Sequence, residues 1–394
     1  MMRTSASLLL VALFLTLPLN AAAREPAPIP KVVSAIQEAI AKQELAGAIT
    51  IVADKDRILH RDVQGFADIE KKIPLTDDTL FWIASMSKPI TGVAMMMMVE
   101  QGKVSLDDPV DKYLPEFKNL KNKEGEYVPV TIKQLLTHTS GLAEITPEQA
   151  KTAKTLADVI PLYIAQPVKF PPGSQWMYCQ SGINTAARIV EVVSGEKFPE
   201  FLEKYLFQPL GMTDTAFYLS EDQNKRLSKT YKRTTEGKLE VGENPILHGR
   251  SPTDRERFPA ANGGLFSTAG DYLKFCQMLL NNGEFNGHRI LKADTVRAFR
   301  TIHTGAIKTG FTPGNGWGVG CCVVREPQGP TAALSAGSFG HGGAHGTQAW
   351  IDPTNNRIYL LMIQRTNIGN SDAGDLRKTF QDEAAAALNK APTQ

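Results

Sequence analysis

Apolar positions change period several times along the chain. Over residues 30 to 44, Val32, Val33, Ile36, Ala39 and Ile40 recur at helical spacing and predict an amphipathic helix. The stretch AGAITIVADKDRILHRDVQGFA, from Ala46, alternates instead and predicts two strands joined at the charged Asp54-Lys55-Asp56 turn. A run containing GVAMMMMVEQ follows Ser85 and reads as a helix ending at Gly102, its methionines Met95 to Met98 filling the core. From about 103 to 250 the pattern is helical and rich in loops. There VTIKQLLTHTSGL reads as a short helix with a turn, and GINTAARIVEVVSG as an amphipathic helix stopped by Gly195. Residues 220 to 262 lack periodicity and read as a long excursion near a site. Alternation returns in the last third, where GWGVGCCVV reads as a strand, GTQAWIDPTNNRIYLLMIQ as a hairpin and DAGDLRKTFQDEAAAAL as a closing helix.

Strands at both ends of the chain with helices between them predict an α+β fold. One antiparallel sheet is flanked by N- and C-terminal helices, with an inserted, mainly helical subdomain beside it. The expected organisation is a leader over 1–23 and one domain over 24–394. The α/β part of that domain takes 24–85 and 263–394, and the helical part about 86–262. A site is expected in the cleft between the parts.

The leader reading rests on Arg3, the apolar run LLLVALFLTLPL and the small residues of NAAARE. The apolar run is too short to span a bilayer comfortably and its flanks suit signal peptidase, so cleavage is expected near Ala23. A periplasmic or secreted protein without a membrane anchor follows. With 43 basic and 41 acidic side chains, a net charge of +2 gives no reason to expect a nucleic acid or an anionic membrane as partner. Cys179, Cys276, Cys321 and Cys322 do not form a disulfide framework, and a chain of 394 residues needs none. Adjacent Cys321 and Cys322 are expected on opposite faces of a strand. There is no CxxC or HExxH, and His341 and His345 have no evident third ligand, so neither a metal nor another cofactor is expected.

The candidate chemistry begins at FWIASMSKPI. Ser85 and Lys88, three apart, share a helix face, and a helix N-terminus offers unpaired N–H groups to a developing anion. Pro89 is tolerated only near a first turn, so the helix must start close to Ser85. Spacing alone is weak, because Ser194-Gly195-Glu196-Lys197 repeats it across a helix stop. A serine nucleophile also needs a second proton-relay group and an oxyanion-stabilising strand. WMYCQSGIN offers Tyr178 with an amide two residues on, and GHGGAHGTQAWIDP offers glycines where backbone approaches a ligand closely.

Taken in order, these stretches resemble the serine β-lactamase-like superfamily, which includes class C β-lactamases and D-alanyl-D-alanine carboxypeptidases. The motif pattern is most similar to the family VIII carboxylesterases. SMSK resembles the nucleophile motif, YCQ the family's Y-x-N, and HGG at 341 to 343 its K-T-G or H-x-G strand. GKVSLDDPVDKYLP, IKQLLTHTSGL, PAANGGLFSTAGDYLKFCQMLLNNG and GTQAWIDP extend the likeness over nearly the whole chain after the leader. The resemblance implies Ser85 as nucleophile of an acyl-enzyme, with Lys88 and Tyr178 relaying its proton. It implies the backbone N–H groups of Ser85 and Ala344 as oxyanion hole, and Gln180, His341, Gly342 and Gly343 at the substrate. A basic role at neutral pH needs a downward shift of ~3 units, expected for the tyrosine from a neighbouring cation and for the lysine from burial beside another cation. Which of the two is the base stays open, since they titrate as a pair.

Two departures bear on the substrate, a small acyl compound. Gln180 stands where the family has Asn, and His341-Gly342 where β-lactamases have Lys-Thr. Both of the latter weaken recognition of a substrate carboxylate, unless Arg325 or Arg365 compensates. His138 reads as a buried, hydrogen-bonded structural histidine. The leading reading is an esterase. The alternatives are a β-lactamase or D-amino-acid-specific peptidase, and a penicillin-binding or sensor-like module that acylates without turnover. An α/β-hydrolase is set aside because G-x-S-x-G does not occur, AGSFG at Ser338 lacking the first glycine.

Overall fold

A computed structural model describes residues 26–369 and 371–388, so the leader read at 1–23, with its cleavage near Ala23, lies outside the described residues. The architecture is α+β, as the pattern predicts. Helix α1 (Pro30–Ala41) opens with proline in its first turn and buries Val32, Ile36 and Ala39. Strands β1 (Gly47–Ala53) and β2 (Ile58–Asp68) pair antiparallel across the Asp54–Asp56 turn, with Thr50 opposite Asp62. Strand β3 (Ile73–Pro74) ends an eight-stranded sheet. From the other edge its order is 315–317, 322–324, 339–342, 348–352 and 357–362, then β1, β2 and β3.

All seven residues of β1 are buried, because both faces of the sheet are covered. Ala48 and Val52 point to a core shared with α1 and the closing helix Asp375–Leu388, while Ile49, Ile51 and Ala53 point to the larger core. The same alternation puts Cys321 in the larger core and Cys322 in the smaller, on opposite faces as expected. Helix α2 (Ser87–Glu100) lies in the larger core, with Met95 to Met98 all buried.

Two local readings need correction. GWGVGCCVV is not one strand but two, Asn315–Trp317 and Cys322–Val324, paired antiparallel around a tight turn. Gly320 makes that turn at φ +72, and a Cβ there would lie 2.7 Å from the backbone oxygen of Lys88. The excursion at 220–262 contains a short hairpin, Tyr231–Arg233 with Leu239–Val241, whose first strand pairs in parallel with Arg365–Thr366. Three-residue strands with a partner so distant in sequence leave no periodic trace. Among the described residues, no helix is long and apolar enough to cross a membrane.

Candidate active site

Ser85 sits in a single 3₁₀ turn, Ala84–Met86, that runs directly into α2, so Pro89 falls in the first turn of the helix. The turn is held from several sides. Strand β4 (Leu80–Trp82) pairs antiparallel with Phe266–Thr268, and Trp82 Nε1 donates to Gly263 O at 2.6 Å. Ser87 Oγ donates to Ala84 O at 2.7 Å, and Tyr272 OH to Met86 O at 2.8 Å. Ala84 has φ +47, a conformation costly for a residue with a Cβ and kept only where surroundings over-determine it. That conformation leaves Ser85 partly accessible while Ala84 and Met86 are buried.

Lys88 is fully buried. Its Nζ stands 3.1 Å from Ser85 Oγ, 2.8 Å from Gln180 Oε1 and 2.7 Å from the carbonyl oxygen of Asn262. Burial lowers its pKa to about 7, opposed by the charges of Glu144 and Asp372. Tyr178 lies 4.5 Å beneath the same nitrogen, measured to the ring centroid. Its phenol behaves opposite to the expectation of a lowered pKa. Burial raises it well above the usual value, and the bond to Ser85 offsets only part of that.

The segment bearing Tyr178 is fixed by His138, which is buried as expected. His138 O accepts from Met177 N at 2.9 Å, its Nδ1 accepts from Cys179 N at 3.1 Å, and its ring lies 4.6 Å from that of Tyr178. Gln180 then starts the helix Gln180–Ser194. Its side-chain oxygen also accepts from Asn262 Nδ2 at 2.9 Å, while the Glu144 carboxylate accepts from the N–H groups of Gln180 and Ser181. The longer amide therefore reaches Lys88 directly. The repeated spacing at Ser194 falls at the other end of this helix, before Gly195 at φ +77.

His341 and Gly342 end the strand Phe339–Gly342, which is interior to the large sheet and paired on both sides, and Gly343 follows it. His341 is buried, and burial with the Lys88 charge lowers its pKa to about 4, so it is neutral near pH 7. Its Nδ1 lies 2.6 Å from Gly342 O, which only accepts, so the proton resides there. That leaves Nε2 to accept from Tyr178 OH at 3.4 Å. Gly343 allows close approach to the Ala84–Met86 turn, since a Cβ would meet Ile83 O at 2.7 Å. Ala344 follows, exposed. Among the described residues, neither Ser85 N nor Ala344 N bonds to a backbone carbonyl outside the regular elements.

Residues 32–383 match the family described as Beta-lactamase. The chain belongs to that family. It is a serine hydrolase by fold and relationship. Protein Rv1367c of Mycobacterium tuberculosis is 32% identical over 349 residues, covering 81% of this chain and 86% of that protein. Esterase EstB of Burkholderia gladioli is 29% identical, covering 89% and 93%. Among solved structures, "EstCE1, a hydrolase with promiscuous acyltransferase activity", superposes with a TM-score of 0.76 at 26% identity, over 90% of this chain and 97% of that one.

Three groups at this site were not singled out from the sequence. Asn262 lies inside a stretch that resembles the family, but its contact with Lys88 is set by tertiary packing alone. Glu144 follows the HTSGL motif in a loop without periodicity. Asp372 is buried where a Cβ on Gly342 would collide with its carboxylate and with Gln348 Nε2. The glycine in place of the family's threonine thus accommodates a carboxylate. Gly342→Ala is expected to destabilise the protein by about 1–3 kcal/mol by overpacking. Thermal denaturation should show the loss alongside a lower kcat, and an unchanged melting temperature would contradict the packing. Among the described residues, neither Arg325 nor Arg365 bonds to Ser85, Lys88, Tyr178 or His341. Arg325 donates to Gly305 O, and Arg365 has Arg233 and Glu44 as its charged neighbours.

Proposed function

We propose that the protein is an exported carboxylesterase that cleaves small acyl esters through an acyl-enzyme on Ser85. The observation that carries this reading is the placement of Lys88 Nζ, with two carbonyl oxygens and Ser85 Oγ as its partners. Carbonyls only accept, so two N–H bonds are committed, and the neutral amine turns its lone pair on the Ser85 hydroxyl. With a pKa of about 7, a large fraction of Lys88 is neutral at neutral pH.

Ser85 gives its proton to Lys88 as Oγ attacks the ester carbonyl. The carbonyl electron pair moves onto oxygen, where the N–H groups of Ser85 and Ala344 stabilise it. Collapse breaks the bond to the alcohol oxygen, which takes the proton from Lys88 through Tyr178 and leaves as the alcohol. Water then attacks the acyl carbon and gives its proton to the same base. The bond to Ser85 breaks, Oγ is reprotonated, and the carboxylic acid departs. Tyr178 keeps its proton between transfers, consistent with a phenol whose pKa lies well above the usual value.

Esters are favoured over carboxylate-bearing amides by the charges at the site. His341 is neutral and Gly342 has no hydroxyl, which removes two groups that would meet a substrate carboxylate. The names of EstB and EstCE1 point the same way. Export rests on the leader at 1–23. A panel of a short-chain p-nitrophenyl ester, a cephalosporin and a D-Ala-D-Ala peptide tests the reading, with rapid turnover expected for the ester alone. An inert ester beside a fast cephalosporin or peptide would make the protein a β-lactamase or D-amino-acid-specific peptidase. Acylation without release would make it a penicillin-binding or sensor-like module.

A further inference from the structure

The two N–H groups assigned to the oxyanion hole come from different sheets. Ser85 follows β4, which belongs to a two-stranded sheet with Phe266–Thr268, whereas Ala344 follows the strand Phe339–Gly342 of the eight-stranded sheet. Among the described residues, no β-ladder joins the two. The hole needs its donors about 2.7–3.1 Å from the developing oxyanion, so something else must set their spacing.

We propose that Gln364 is the positioning residue of the oxyanion hole, its single side-chain amide tying the backbone that enters Ser85 to the loop that carries Ala344. Trp82 N, three residues before Ser85, donates to Gln364 Oε1 at 2.9 Å. Gln364 Nε2 stands 2.9 Å from Nδ1 of His345, the residue after Ala344. An amide NH₂ only donates, so His345 Nδ1 accepts and its proton resides on Nε2. The backbone around the bridge is pinned as well, with Tyr231 N donating to Gln364 O and Arg365 N to His345 O, each at 3.0 Å. The His345 ring meets Trp82 edge-on at 4.5 Å between centroids. Trp82, His345 and Gln364 are 4%, 1% and 5% exposed, so water does not compete for these bonds. Thr347 Oγ1, at 3.4 Å from Ile83 O, and Thr230 Oγ1, at 3.4 Å from His345 Nδ1, are the weaker supports nearby. Gln364 thus acts on the reaction through Ser85 N and Ala344 N, without touching substrate itself.

The inference rests on the acyl-enzyme reading, and its test separates the two. Gln364→Met keeps the volume and removes both bonds. The expected result is a folded protein with kcat for a p-nitrophenyl ester lowered by about 10–100-fold and KM nearly unchanged, because misplaced donors fail only when charge develops. Inhibition by a boronic acid, whose tetrahedral adduct places an oxygen in the hole, should weaken by a similar factor. Gln364→Glu keeps the acceptor for Trp82 N and can share a proton with His345 Nδ1, so it should recover part of the loss. A structural role alone would lower the melting temperature while leaving kcat of the folded enzyme and boronate affinity at wild-type values, and that outcome overturns the proposal. If Gln364→Met does not fold, His345→Phe, which keeps the ring volume and removes the acceptor of the Gln364 amide N–H, is read the same way, wild-type kcat and boronate affinity again refuting it. Wild-type kcat in these variants with an inert Ser85→Ala refutes the positioning role only. An active Ser85→Ala refutes the acyl-enzyme and this inference together.

Discussion

Ser85→Ala is expected to lose ester turnover by at least about 10⁴-fold and to give no adduct with a fluorophosphonate by intact mass. The variant should fold normally, because Ser85 is only partly buried and its hydroxyl does not hold the turn. That task falls to Ser87 Oγ, to Tyr272 OH and to the pairing of β4. Removing Oγ deletes the atom to which Lys88 Nζ points and leaves its two carbonyl contacts intact. An adduct on the variant, or turnover within about a hundredfold of wild type, would move the nucleophile elsewhere.

Lys88→Met should be nearly as damaging, about 10²–10⁴-fold in kcat/KM as expected for a lost general base. Its pH behaviour is the sharper test. With Lys88 at about 7, kcat/KM of the wild type should rise from pH 5 to 8 along a single limb and then flatten. Tyr178, held well above its usual value, adds no second limb below pH 10. Stability follows the same group. The folded pKa of about 7 lies below the free value of 10.5, so the unfolded chain binds more protons between those pH values. Stability therefore rises with pH across that window, and below it the buried lysine imposes its full cost, on the order of 4 kcal/mol. Lys88→Met removes that cost and takes the Lys88 donor from the Asn262 carbonyl, while Gln180 Oε1 keeps Asn262 Nδ2, so the offset is small. Activity should fall without a lower melting temperature at pH 6. A wild-type profile flat through pH 7 would exclude Lys88 as the titrating base.

Much of this was legible locally. The helical run at 30–41 encodes its element because one side chain in three to four meets the core. The strands at 47–53 and 58–68 are marked by β-branched residues around a charged turn, β1 being buried on both faces. Pro89 located the start of α2 because its ring cannot follow a full helical turn. SMSK, YCQ and HGG were visible as motifs, yet their meaning depended on order over nearly the whole chain, since Ser194 matches the first motif by chance.

What the sequence alone determined is the longer elements and the candidate side chains that fall in motifs, because periodicity, turn residues and motif order are properties of neighbours along the chain. Only the tertiary structure decided how those side chains behave. Lys88 is lowered and Tyr178 raised because burial disfavours the charged form of each, and burial depends on what the rest of the chain brings over them. The same holds for Asn262, Asp372 and Gln364. Each reaches the site from a distant segment, through contacts that leave no period and no spacing in the sequence to read.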